Sequence, residues 1–122
     1  MSRRRVALLA VVPAVTLAAT APGALAHTEV KSTSPAKGST AGRGLRTVTV
    51  TFTGPIQRGT LRVTGPGKVV VSVGSGGRDP RKVTRLRVGL KGSLKTGRYK
   101  ARWSMVAADG HHQHGSFRFR LG

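Results

Sequence analysis

Residues 97–121 read GRYKARWSMVAADGHHQHGSFRFRL, and two alternations inside this stretch decide the fold. Tyr99, Ala101, Trp103 and Met105 fall on one side, with Lys100, Arg102 and Ser104 on the other. Beyond Asp109-Gly110, Phe117, Phe119 and Leu121 alternate in the same way with Arg118 and Arg120. Successive side chains of an extended backbone point to opposite faces, so a period of two marks a strand buried on one side. Asp109-Gly110 is turn chemistry between the two.

The same period recurs upstream. Val48, Val50 and Phe52 alternate with Thr47, Thr49 and Thr51, and Leu86, Val88 and Leu90 alternate with Arg85, Arg87 and Gly89. Weaker strand candidates span 28–32, 60–64 and 68–73. Between them lie turn signals: Ser34-Pro35 with Lys37-Gly38, Gly54-Pro55, Gly65-Pro66-Gly67, Gly74 to Gly77 with Asp79-Pro80, and Lys91-Gly92-Ser93. No segment carries a helical stripe of useful length. About seven short strands predict an all-β domain, a small antiparallel Greek-key sandwich or barrel, immunoglobulin-like or cupredoxin-like in outline.

Composition narrows the chemistry. The chain has 122 residues, no cysteine, 22 Lys and Arg against 3 Asp and Glu, and a formal charge of +19. Disulfide frameworks, thiolate zinc sites and cysteine catalysis are excluded. With only Glu29, Asp79 and Asp109, a two-carboxylate glycosidase or a calcium loop lacks its ligands. Residues 1–26 read as a cleaved signal peptide: Arg3, Arg4 and Arg5 form a basic head, Val6 to Ala21 is apolar, and Ala24-Leu25-Ala26 supplies the cleavage pattern. The apolar run is broken by Pro13 and Pro22 and falls short of the ~20 residues of a membrane span. The expectation is export, by either the general or the twin-arginine route, to the periplasmic or extracellular, wall-facing side of the membrane. A single mature domain, residues 27–122, would remain.

Arginines 85, 87, 102, 118 and 120 occupy the outward positions of the strands. They read as a solvated face, or as a cationic surface that adheres to an anionic partner. Export separates the chain from nucleic acid. Trp103, Phe117 and Phe119 lie on apolar faces and offer no platform for stacked bases.

Histidine is the residue that carries chemistry. Cleavage after Ala26 would make His27 the first residue, placing an α-amine of pKa ~7.7–8.0 and an imidazole on one side-chain-bearing atom, where both can chelate one ion. The other three histidines cluster in Asp109-Gly110-His111-His112-Gln113-His114. On an extended segment, Asp109 and His111 point the same way, and Gly110 relaxes the backbone between them. Taken alone, Asp-x-His reads either as a ligand pair or as a turn with histidines in solvent. Imidazoles, an amine and a carboxylate make a nitrogen and oxygen site suited to Cu(II), and zinc uses the same nitrogen donors. Met105, on the Trp103 face, reads as core rather than as a thioether ligand.

These residues resemble the CopC family of exported copper-binding proteins. The resemblance covers nearly the whole mature chain and rests on a histidine exposed by cleavage, Ser34-Pro35-Ala36-Lys37-Gly38, Val50-Thr51-Phe52, Gly97 to Trp103, Ala108-Asp109-Gly110-His111 and Gly115 to Phe119. It implies a Greek-key sandwich holding Cu(II) through the amine and ring of His27, the ring of His111 and the carboxylate of Asp109. Some members carry a methionine-rich loop for Cu(I), which this chain lacks, and His112 and His114 have no family counterpart. The function expected is a copper carrier or buffer in copper tolerance, or in delivery to a membrane importer, without enzymatic activity. Two rival readings are a cationic extracellular adhesion module and a histidine-brace copper oxygenase.

Overall fold

The structure is a computed structural model that describes residues 27–122; the expected signal peptide, 1–26, lies outside the described residues. Eight strands follow one another: β1 (Val30–Ser34), β2 (Thr40–Ala41), β3 (Thr47–Phe52), β4 (Ile56–Thr64), β5 (Ser72–Asp79), β6 (Lys82–Leu90), β7 (Gly97–Ala107) and β8 (His112–Leu121). They form two four-stranded sheets, β1-β3-β6-β5 and β2-β8-β7-β4. The chain passes repeatedly from one sheet to the other, which is the cupredoxin-like sandwich. Among the described residues no helix is long and apolar enough to cross a membrane.

The alternating segments build the core as their period requires. Val48, Val50 and Phe52 of β3 and Leu86, Val88 and Leu90 of β6 face Leu61 and Val63 of β4, Tyr99, Ala101 and Met105 of β7, and Phe117, Phe119 and Leu121 of β8. All of these are buried. Full burial of one such side chain contributes roughly 1.5–3 kcal/mol, so the interleaved faces drive the two sheets together. Met105 is 1% exposed and belongs to this core. Tyr99 stacks on Phe119 with ring centroids 5.6 Å apart, and its hydroxyl donates to the Lys95 carbonyl at 2.6 Å. The buried Ser72 hydroxyl accepts the Val63 amide at 3.1 Å, and Arg78 Nη1 donates to the Ile56 carbonyl at 3.1 Å; both bonds join one sheet to the other.

The expected all-β sandwich of about seven strands is what the described residues form: they hold eight, one of them the two-residue Thr40–Ala41, which runs parallel to β8 at Arg120 and Leu121 while the other pairings are antiparallel. Three finer expectations need correction. The segment 68–73 is not one strand: Val70 makes only an isolated bridge to Thr64, and just Ser72 and Val73 belong to a strand. Pro66–Lys68 is a 3-10 turn, closed by Lys68 N–H to the Gly65 carbonyl, and β5 begins only at Ser72. Gly74 to Gly77, read as a turn, lies inside β5. There Gly74 and Gly76 take φ of 68° and 63° and shift the register against β6, which is what a glycine bulge does. Arg85 is also less solvated than its alternation suggests. It is half-buried, with Nε 3.7 Å from Asp79, whose own Oδ1 accepts the Arg81 amide.

Candidate metal centre

The β7–β8 hairpin presents two of the three residues in question. Val106 pairs with His112, and the Ala107 amide donates to the His111 carbonyl at 2.9 Å, leaving Ala108-Asp109-Gly110 as a three-residue loop. Such a loop needs a left-handed residue in its last position. Gly110, at φ 90°, supplies it and donates to the Ala107 carbonyl. Asp109 then bonds within the loop: Oδ1 accepts the His111 amide at 3.0 Å and Oδ2 lies 2.8 Å from His111 Nδ1. These two bonds, with the nearby His111 and His27 rings, hold the half-exposed Asp109 carboxyl below its ordinary value of 3.8. Asp109 is therefore ionised near neutrality, with its Oδ2 set against His111 Nδ1.

His27 reaches the same end of the sandwich through the β3–β4 connection. The Glu29 amide donates to Thr53 Oγ1 at 2.9 Å and the Thr53 amide donates to the Glu29 carbonyl at 2.8 Å. Thr28 packs so closely over Gly54 that a Cβ there would lie 3.1 Å from its Oγ1. From the other side, the Ala108 amide donates to the Pro55 carbonyl and Gln57 Nε2 donates to the Ala108 carbonyl at 3.2 Å. Thr53-Gly54-Pro55 thus bridges the N-terminal segment and the hairpin. Beneath it, Phe52 meets Trp103 edge-on at 5.0 Å, and Trp103 lies over Gly115.

The outcome is that the His27 and His111 rings stand 6.4 Å apart, nearly perpendicular. Two imidazoles on opposite sides of one first-row ion, each bonded at about 2.0 Å, have centroids about 6–6.5 Å apart. Two donors adjacent on such an ion are about 2.8 Å apart, which is the Asp109 to His111 spacing. Even so, among the described residues no three His, Asp or Glu side chains already close around an ion-sized space. The proton between Asp109 and His111 occupies the position a metal would take. His112 and His114 do not join: both are exposed and stand on β8 beside Val106 and Ser104. The bridging role of Thr53 and Gly54 escaped the reading of the sequence, in which Gly54-Pro55 signals only a turn.

The sandwich with an Asp-Gly-His hairpin at the end reached by its N-terminal segment defines a class of small β-domains. The CopC domain pattern matches residues 30–122, three quarters of the chain, and the chain belongs to the CopC family. Its fold is similar to that of CopC from Methylosinus trichosporium OB3b, at a TM-score of 0.65 and 18% identity, covering 78% of this chain and 93% of that one. It is also similar to PcoC, a methionine-rich copper resistance protein from Escherichia coli, at a TM-score of 0.60 and 22% identity, covering 80% of this chain and 100% of that one. A search of curated proteins finds no match by sequence.

Proposed function

We propose that the protein is an exported copper-binding protein that takes Cu(II) as cargo, through the amine and ring of a terminal His27, the ring of His111 and the carboxylate of Asp109. One observation carries the reading. Residues far apart in the chain meet at one end of the sandwich, with His27 and His111 at 6.4 Å and Asp109 against His111 at 2.8 Å. Membership of the CopC family and a fold shared with PcoC, a copper resistance protein, support it.

Before cleavage the His27 nitrogen is an amide, a poor ligand; removal of residues 1–26 turns it into an amine that closes a chelate ring with the imidazole. The donor set has nitrogen and oxygen but no sulfur, which favours Cu(II) over Cu(I). The strong positive charge of the chain opposes a cation, but two of its three carboxylates, Glu29 and Asp109, belong to this end. The bridge through Thr53 and Pro55 holds both halves in place, so binding orders little more than the terminus. Copper buffering, tolerance or delivery to a membrane importer is the role that follows.

The test is a competitive Cu(II) titration of the chain beginning at His27 beside the chain retaining residues 1–26. Tight one-to-one binding by the cleaved form alone is the expected result. Equal binding by both would remove the amine from the ligand set and the proposal with it.

A further inference from the structure

The outer face of the β2-β8-β7-β4 sheet carries a cluster of positive charge that copper binding does not use. The register sets like charges directly opposite one another: Arg62 on β4 faces Arg102 on β7, Lys100 on β7 faces Arg118 on β8, and Arg98 on β7 faces Arg120 on β8. These are neighbouring rungs on one face, so six cations form a two-dimensional array. Opposed like charges destabilise a sheet. No acid relieves them, since the ion pairs among the described residues join Asp79 to Arg85 and Asp109 to His111, neither of which is on this face. The other sheet offers a contrast: its outer side presents the threonines of β3 beside Arg87 and the neutralised Arg85.

The charged face is also concave. A shallow cleft of about 700 Å³ runs between the 3-10 turn and the strands, with Lys68, Arg98, Lys100, Arg102 and Arg118 along its walls. Of the exposed large apolar side chains, Val30, Val73 and Val83 lie off the three charged rungs, and Val69 and Val70 flank the cleft only at its 3-10 turn end, beside Lys68 and Thr64. A groove walled by guanidinium forks suits phosphate groups in series, each able to take paired N–H donors. We propose that this face binds a flexible polyanion whose charges are phosphates spaced along a chain, independently of copper.

The experiment measures binding of the purified protein to long-chain inorganic polyphosphate, by calorimetry between 0.05 and 0.3 M salt. Engagement of five or six cations predicts a log–log salt slope of roughly −3.5 to −4. Lys100→Gln with Arg118→Gln should weaken binding at least tenfold and flatten the slope by about 1.4. Arg81→Gln with Arg87→Gln removes the same charge elsewhere and should change binding less than twofold. The melting temperature of the first variant should equal or exceed that of the parent, since it dissolves an opposed pair; Arg62→Gln with Arg102→Gln repeats the test on a second rung. Equal weakening by the two charge-matched variants would overturn the proposal, reducing it to net charge. So would no binding of polyphosphate, or binding only to phosphatidylglycerol vesicles, which would make the partner a membrane surface.

Discussion

Gly115 and Trp103 face each other across β7 and β8, and a Cβ built on Gly115 would fall 2.5 Å from the indole. Gly115→Ala must therefore displace a ring wedged against Phe52, at a cost of about 1–3 kcal/mol, readable as a lower melting temperature. At the hairpin tip, charge rather than space decides. Asp109→Asn keeps the shape of the loop but loses the carboxylate, and His111→Ala loses the ring; each should weaken Cu(II) at least about tenfold by competitive titration, with little change in melting. Protons compete for the same atoms. Imidazole and amine must be deprotonated to bind, so affinity should decline as pH falls through ~6.5. Asp109, with its folded pKa lowered, stays ionised to lower pH than an ordinary carboxylate. Its contribution to folding is present above the unfolded value and is lost only as pH falls through the folded one. Unchanged affinity at pH 5 would contradict the ligand set.

Strands with one apolar face were legible in the sequence because burial imposes a period of two, as in Thr47–Phe52 and Gly97–Ala107. β2 was not, since two residues cannot show a period and its pairing with β8 is set by the chain entering the sheet edge. Glycine misled at β5, because the residue that permits a turn also permits a bulge. A Cβ on Gly76 would lie 2.7 Å from the Arg87 carbonyl, so here glycine serves close approach of two strands. The candidate site was half legible. Asp109-Gly110-His111 announces a tight loop, whereas its partner across 80 residues of chain depends on Thr53 and Gly54, whose bonding is tertiary. Thr53→Val, which deletes the acceptor for the Glu29 amide, should loosen the N-terminal segment by about 1 kcal/mol. The expected readout is Cu(II) affinity reduced about fivefold, with the fold intact by circular dichroism; an unchanged affinity would mean that the terminus is held by other contacts.

At the scale of the molecule, packing alone must stabilise a small domain without cysteine, against the repulsion of a formal charge of +19 in the full chain. Salt screens that repulsion, so raising ionic strength from 0.01 to about 0.15 M should stabilise the fold by on the order of 1 kcal/mol, or about 4–8 °C in melting. A melting temperature that fell with salt would show the positive surface to be internally compensated. The charge and the hairpin occupy different parts of the sandwich, so the two proposed sites do not compete for one surface. The copper account stands on the nitrogen that cleavage exposes. Electron paramagnetic resonance of the Cu(II) protein beginning at His27, beside a variant with one alanine placed ahead of it, tests that most directly. The account predicts a tetragonal spectrum with three coordinated nitrogens that loses the amine and shifts in the extended variant; identical spectra from the two proteins would contradict it.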